Sequence, residues 1–166
     1  AEYNGTFHYP NKNEVEVVGL VAGDGIGLVE FVLNHDPMIA VSKGYDISIS
    51  LTADLKNYDC TTVSGTYIIT PRPIIISAVA NGKVYGSSDP ALTHVVKHAT
   101  DSTAEAIVGS NPNVLNISVA REVGENVGTY TIDVSYTPNS NYSVTTNTAE
   151  FTISPLAVNI TFTNDA

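Results

Sequence analysis

Apolar and polar residues alternate along most of the chain in short runs separated by Gly, Pro, Asn and Asp, a period of two that specifies half-buried strands. Residues 45–51 turn Tyr45, Ile47, Ile49 and Leu51 inward and Asp46, Ser48 and Ser50 outward. Residues 14–18 (Glu-Val-Glu-Val-Val) place Val15 and Val17 on one strand face, and residues 28–33, β-branched and aromatic without a helical period, read as a further strand. Residues 74–79, 114–120 and 128–136 continue the pattern, with a turn predicted at 80–83. Strand periodicity lapses between Thr93 and Asn113, where residues 102–108 suit one turn of helix before the loop at 109–113. The predicted core draws on Val15, Val17, Ile47, Ile49, Ile68, Ile76, Ile132, Val134, Phe151 and Ile153.

The pattern occurs twice. Gly44, Asn57, Tyr58 and Pro71 each precede Gly128, Asn141, Tyr142 and Pro155 by 84 residues, while the strand between them is offset by one. A period of that size indicates tandem modules rather than one interlocked domain. The expected fold is all-β, as two tandem Ig-like β-sandwich modules over residues 1–71 and 72–155; the alternative is a β-grasp-like module with one short helix. Thr70-Pro71-Arg72-Pro73 marks the boundary, where two prolines stiffen the connection and Arg72 is expected to pair with a carboxylate. Residues 156–166 repeat the start of the second module and read as the opening strand of a further one. That strand is expected to pack back on the second module or to add to the first module of a neighbouring molecule.

Charge narrows the partners. Lys and Arg number 7 against 17 Asp and Glu, a net charge of -10, which repels phosphate backbones and anionic headgroups. Nucleic acid and membrane insertion are therefore not expected. The single cysteine, Cys60, forms no disulfide within the chain, so stability must come from packed sheets.

Within the second module, Tyr85-Gly86, Asp89-Pro90, Leu92-Thr93, Arg121, residues 124–130 (Gly-Glu-Asn-Val-Gly-Thr-Tyr), Asn141-Tyr142 and residues 151–155 (Phe-Thr-Ile-Ser-Pro) occur in one order. This series resembles the MBG-type repeats of large bacterial surface adhesins. The first module is similar to the sister YDG type through residues 3–6 (Tyr-Asn-Gly-Thr), Gly23-Asp24 and Asn57-Tyr58, with Asn4 where that repeat has aspartate. The resemblance implies a non-catalytic stalk or spacer, secreted and displayed at the cell surface, with neighbouring repeats as its partners and no cofactor. A module that itself contacts host glycan or protein is the rival, through tyrosines such as Tyr9 or Tyr85.

No constellation argues for chemistry, so catalytic, cofactor-binding and metal residues are all expected to be none. The glycine series at 19–27 lacks the following helix that a pyrophosphate site requires. His94 and His98 share one strand face without a neighbouring third ligand, and a solvated face is expected for them. Asp24, Asp36, Asp54, Asp59, Asp89 and Asp101 are scattered, unlike a calcium loop. Lys43, Lys56 and Lys97 are candidates for an intramolecular isopeptide. Asn4, Asn116, Asn141 and Asn159 head glycosylation triplets. The repeated Asn-Tyr pairs read as structural, with the Tyr58 ring covering a core end and its hydroxyl meeting a backbone acceptor.

Overall fold

A computed structural model describes residues 1–100, 108 and 114–163. The protein is all-β, and it divides into two compact units, Ala1–Arg72 and Pro73–Ala166. The helical turn expected at 102–108 lies outside the described residues except for Val108, which is buried.

In the first unit, β1 (Phe31–Asn34), β2 (Ser42–Leu51) and β3 (Gly65–Ile69) form an antiparallel sheet in the order β1-β2-β3. Residues 1–3 run beside the end of β3: the Ala1 amino group donates to the Ile68 carbonyl, Thr70 N–H to Ala1, and Tyr3 N–H to Thr70 at 2.9 Å. Glu2 and Thr70 make a parallel bridge there. Met38, Ile47 and Ile69 are the buried core, with Tyr3, Leu33, Val41, Tyr45 and Tyr67 packed against it.

The second unit holds β4 (Arg72–Ala78), β5 (Asn81–Val84), β6 (His94–His98), β7 (Ser118–Arg121), β8 (Gly128–Ser135), β9 (Tyr142–Asn147) and β10 (Ala149–Ser154). One sheet has the order β5-β10-β8-β7, with β5 parallel to β10 and the other pairs antiparallel; the second has β4 between β6 and β9. Alternation along β4 buries Ile74, Ile76 and Ala78, and Ala78 packs with Ile132, Phe151 and Ile153 of the other sheet.

The register shows the two units to be built on one plan. Tyr45 opposite Tyr67 answers to Tyr130 opposite Phe151, Ile47 opposite Gly65 to Ile132 opposite Ala149, and Leu33 opposite Ile49 to Val119 opposite Val134. The Tyr3–Thr70 bond answers to the 2.8 Å bond from Tyr85 N–H to the Ser154 carbonyl. The one-residue offset of the sequence repeat has a cause: β2 carries a register shift between Ser42 and Tyr45, an extra residue that β8 lacks. Gly128 therefore corresponds in register to Ser42, since both face the isoleucine of the next strand, and Gly44 belongs to the bulge.

Several expectations are corrected. Ile68 points outward at 50 % exposure and Ile69 is the buried residue; adjacent isoleucines satisfy either phase, and pairing opposite Ser42 selects Ile69. Val15 and Val17 are half-buried but form no strand, and Lys12–Glu14 is a 3-10 turn capped by Asn11. Of the strand expected at 28–33, only its second half enters β1, because Ile26–Leu28 turns as a 3-10 segment. Ile49 and Val134 are half-buried rather than buried, and Leu51 is exposed. The turn expected at 80–83 is instead β5, whose Gly82 lies against β10 so closely that a Cβ would stand 2.5 Å from the Thr152 carbonyl oxygen. Residues 156–163 form no strand, and Val158, Ile160 and Phe162 are 76, 92 and 89 % exposed, so they do not pack back on the second unit.

Candidate functional site

The densest polar assembly among the described residues lies over one end of the second unit's core. Lys83 comes from β5 and Arg121 from β7, at opposite edges of the four-stranded sheet; Asp89 and Glu125 come from the turns after those strands. Arg121 lies over the faces of Phe151 and Tyr130, 4.9 and 5.5 Å from the ring centres. Its guanidinium donates to Asp89 Oδ2 at 2.5 Å, Asp89 Oδ1 at 3.2 Å, Glu125 Oε1 at 2.6 Å, and the carbonyls of Glu122 and Gly124 at 2.8 and 2.7 Å. All five guanidinium donors are thereby used. Lys83 Nζ completes the ring, 2.6 Å from Asp89 and 2.5 Å from Glu125.

The cationic side chains are the enclosed members, at 4 % exposure for Lys83 and 9 % for Arg121, while Glu125 at 68 % faces water. Hydrogen bonds from Arg121, then Lys83, lower the Asp89 carboxyl to about 2. Glu125 is lowered through Lys83 and then Arg121, and Lys83 is raised by Asp89 and then Glu125. Two cations and two carboxylates satisfy one another, so the arrangement clamps the residue 85–90 turn to the β7–β8 connection. Gly124 belongs to the same clasp: a Cβ there would fall inside the Tyr130 ring, whose hydroxyl donates to the Asn126 carbonyl at 2.8 Å. The structure thus joins Asp89, Arg121, Gly124 and Tyr130, quoted above only as separate motif residues. The opposite charges at Asp89 and Arg121 were the available signal, but only the sheet order brings them together.

The other sequence candidates stay apart. His94 and His98 do share a face of β6, but that face points inward and His98 is buried, which corrects the solvated face expected for them. Among the described residues no group of three or more His, Cys, Asp and Glu is placed to hold a metal ion. Asp24 accepts a 2.5 Å bond from the Tyr58 hydroxyl, which also accepts from Val21 N–H, so the tyrosine's acceptor is a carboxylate rather than backbone. Asp54 and Asp59 are exposed, and Asp101 lies outside the described residues. Lys43, Lys56 and Lys97 are exposed, without the burial that an isopeptide requires. Asn4, Asn116 and Asn159 are exposed and Asn141 half-buried. Arg72 pairs with Glu2 at 2.6 Å. The glycine series at 19–27 leads into the 3-10 turn Ile26–Leu28 and then β1, not a helix.

The first unit carries a different feature, a cavity of about 610 Å³ over its sheet. Leu33, Ile47, Ile49 and Tyr67 form the floor, and residues 14–20 and 58–63 form the two sides.

Two units with one strand plan and one register define a tandem all-β repeat. Residues 74–152 match the family model of the MBG domain (YGX type), a family whose modules occur in surface proteins. No curated protein and no solved structure matches the chain.

Proposed function

We propose that the chain is a non-catalytic stalk segment of a bacterial surface adhesin, secreted and displayed at the cell surface, whose repeats space a distal binding region. The observation that carries this reading is the shared register of the two sheets together with the MBG match: a repeated unit whose charged clasp is satisfied internally is suited to spacing. The first unit is read as a sister repeat. The second is read as an Ig-like sandwich in its layering, with the parallel β5–β10 pair as a departure. Neighbouring repeats are the partners in this reading, and no cofactor is required.

A binding module is the second reading. Tyr9, 70 % exposed, stands edge-on to His35 at 6.1 Å beside a shallow hollow lined by Phe7, His8, Pro37 and Met38, a geometry compatible with stacking on a sugar. An array of glycans and matrix proteins separates the two. The spacer reading expects no saturable ligand; saturable binding lost in Tyr9→Ala would replace it with the second.

A further inference from the structure

The connection between β1 and β2 contains an Asp-Pro bond, Asp36–Pro37, and the second unit contains another, Asp89–Pro90, after β5. Such a bond is open to attack from within. The aspartate carboxyl can close onto the carbonyl carbon of its own residue, and the tertiary amide of proline releases a basic secondary amine. The two bonds share this chemistry and differ in what surrounds them.

Asp36 is exposed, and among the described residues no donor or cation holds its carboxyl, so that group is free to turn onto its own carbonyl carbon. The Asp36 carbonyl oxygen faces His35 Nδ1 at 2.9 Å. A carbonyl only accepts, so Nδ1 carries the proton and donates it where negative charge develops when the carbonyl carbon is attacked. The His35 ring stands edge-on to Tyr9 at 6.1 Å, and Pro37 rests in the same hollow beside Phe7, His8 and Met38. His8 and Tyr9 are the other titratable side chains of that hollow, and no Lys, Arg, Asp or Glu lines it. Asp89 is the reverse case. Its Oδ2 and Oδ1 accept from Arg121, and Oδ1 also meets Lys83, so both oxygens are held away from the residue's own carbonyl. The same bonds, from Arg121 and then Lys83, hold the carboxyl at about 2, so it has no proton to give in mild acid.

We propose that Asp36–Pro37 is a self-cleavage site of the folded chain, with Asp36 as the nucleophile and His35 as the donor that stabilises the oxyanion. An Asp36 carboxyl oxygen bonds to the Asp36 carbonyl carbon, the bond from that carbon to the Pro37 nitrogen breaks, and the carboxyl proton passes to the departing nitrogen. A cyclic anhydride remains at Asp36, and Pro37 becomes a new amino terminus. Water then opens the anhydride to two carboxyl groups. The chain acts once and on itself, so the spacer reading, which has no external substrate, is left as it stands. The β1–β2 ladder and the bond from His8 N–H to the Met38 carbonyl both cross the cut, so the fragments stay paired. A segment cut here keeps its fold and loses its covalent continuity.

The test incubates the whole chain in mildly acidic buffer in which circular dichroism shows the fold intact, and follows the products by denaturing electrophoresis and intact mass. Fragments 1–36 and 37–166 are expected, with the 89–90 bond whole. Asp36→Ala should abolish the cut and, because Asp36 is exposed, keep the parent's circular dichroism. His35→Phe should slow the cut by about tenfold. In denaturant at the same pH the two Asp-Pro bonds should break at similar rates. There the 36–37 bond should break about tenfold more slowly than in the folded chain, and His35→Phe should lose its effect. A folded chain that cuts 36–37 no faster than the denatured chain overturns the proposal. So does a folded chain that cuts 89–90 as fast as 36–37, or a folded His35→Phe variant that cleaves as fast as the parent.

Discussion

The second unit closes its inner sheet face under β4, while the first leaves the counterpart residues beneath an open slot. The same pairs, Tyr45–Tyr67 and Tyr130–Phe151, hold both sheets in register, so the backbone plan does not depend on the cover. The segments adjoining the two inner faces differ as well. Residues 94–98 (His-Val-Val-Lys-His) do not alternate cleanly yet pair with β4; residues 14–18 alternate and stay irregular. Alternation prepares a segment for a sheet, but the ladder requires a neighbour with free N–H and C=O groups.

The largest test of this contrast truncates one aromatic in each unit. Phe151→Ala, at a fully buried site, is expected to cost about 3–5 kcal/mol. Tyr67→Ala, its counterpart over the slot, should cost less than half of that. Denaturant titration with hydrogen exchange as a unit-specific readout checks both, and equal losses would mean that the slot is as closed as the core. Glycines sharpen the difference next. Gly124→Ala drives a methyl into Tyr130 and should destabilise the second unit by about 1–3 kcal/mol. Gly65→Ala meets nothing within 4 Å and has Ala149 as its counterpart, so it should stabilise the first unit by about 0.4–1 kcal/mol.

Acid should distinguish the units less strongly. Asp89 in the folded protein sits at about 2, below its ordinary 3.8, so its contribution is present above the ordinary value and is lost as pH falls between the two. Glu125, also lowered, acts in the same sense. The second unit should therefore lose stability on acidification below about pH 4. Asp89→Asn should flatten that response in a pH series of melting temperatures while leaving the first unit unaltered. The smallest effect is expected from Tyr58→Phe, which removes the hydroxyl that joins Asp24 and Val21; faster amide exchange at Val21 with unchanged melting would show it.

The all-β class was legible from alternation, and the repeat was legible from four residues at one spacing. The buried set was legible where apolar residues alternate with polar ones, as at Ile132 and at Phe151 with Ile153, and ambiguous where isoleucines adjoin, as at Ile68 and Ile69. β5 was not legible, because residues 80–83 (Ala-Asn-Gly-Lys) have turn chemistry and become a strand only through parallel pairing with β10, distant in sequence. The clasp had the same obstacle. Lys83 and Arg121 lie on opposite edges of a sheet whose strand order no local pattern encodes, and the inward face of His94 and His98 depended on the pairing of β6 with β4 in the other sheet.

The position of β10 bears on how the second unit answers tension. Force entering at Ser154 acts along β10, which is hydrogen-bonded to β5 on one side and β8 on the other. Sliding the strand lengthwise loads the rungs of both ladders at once, whereas peeling would break them singly.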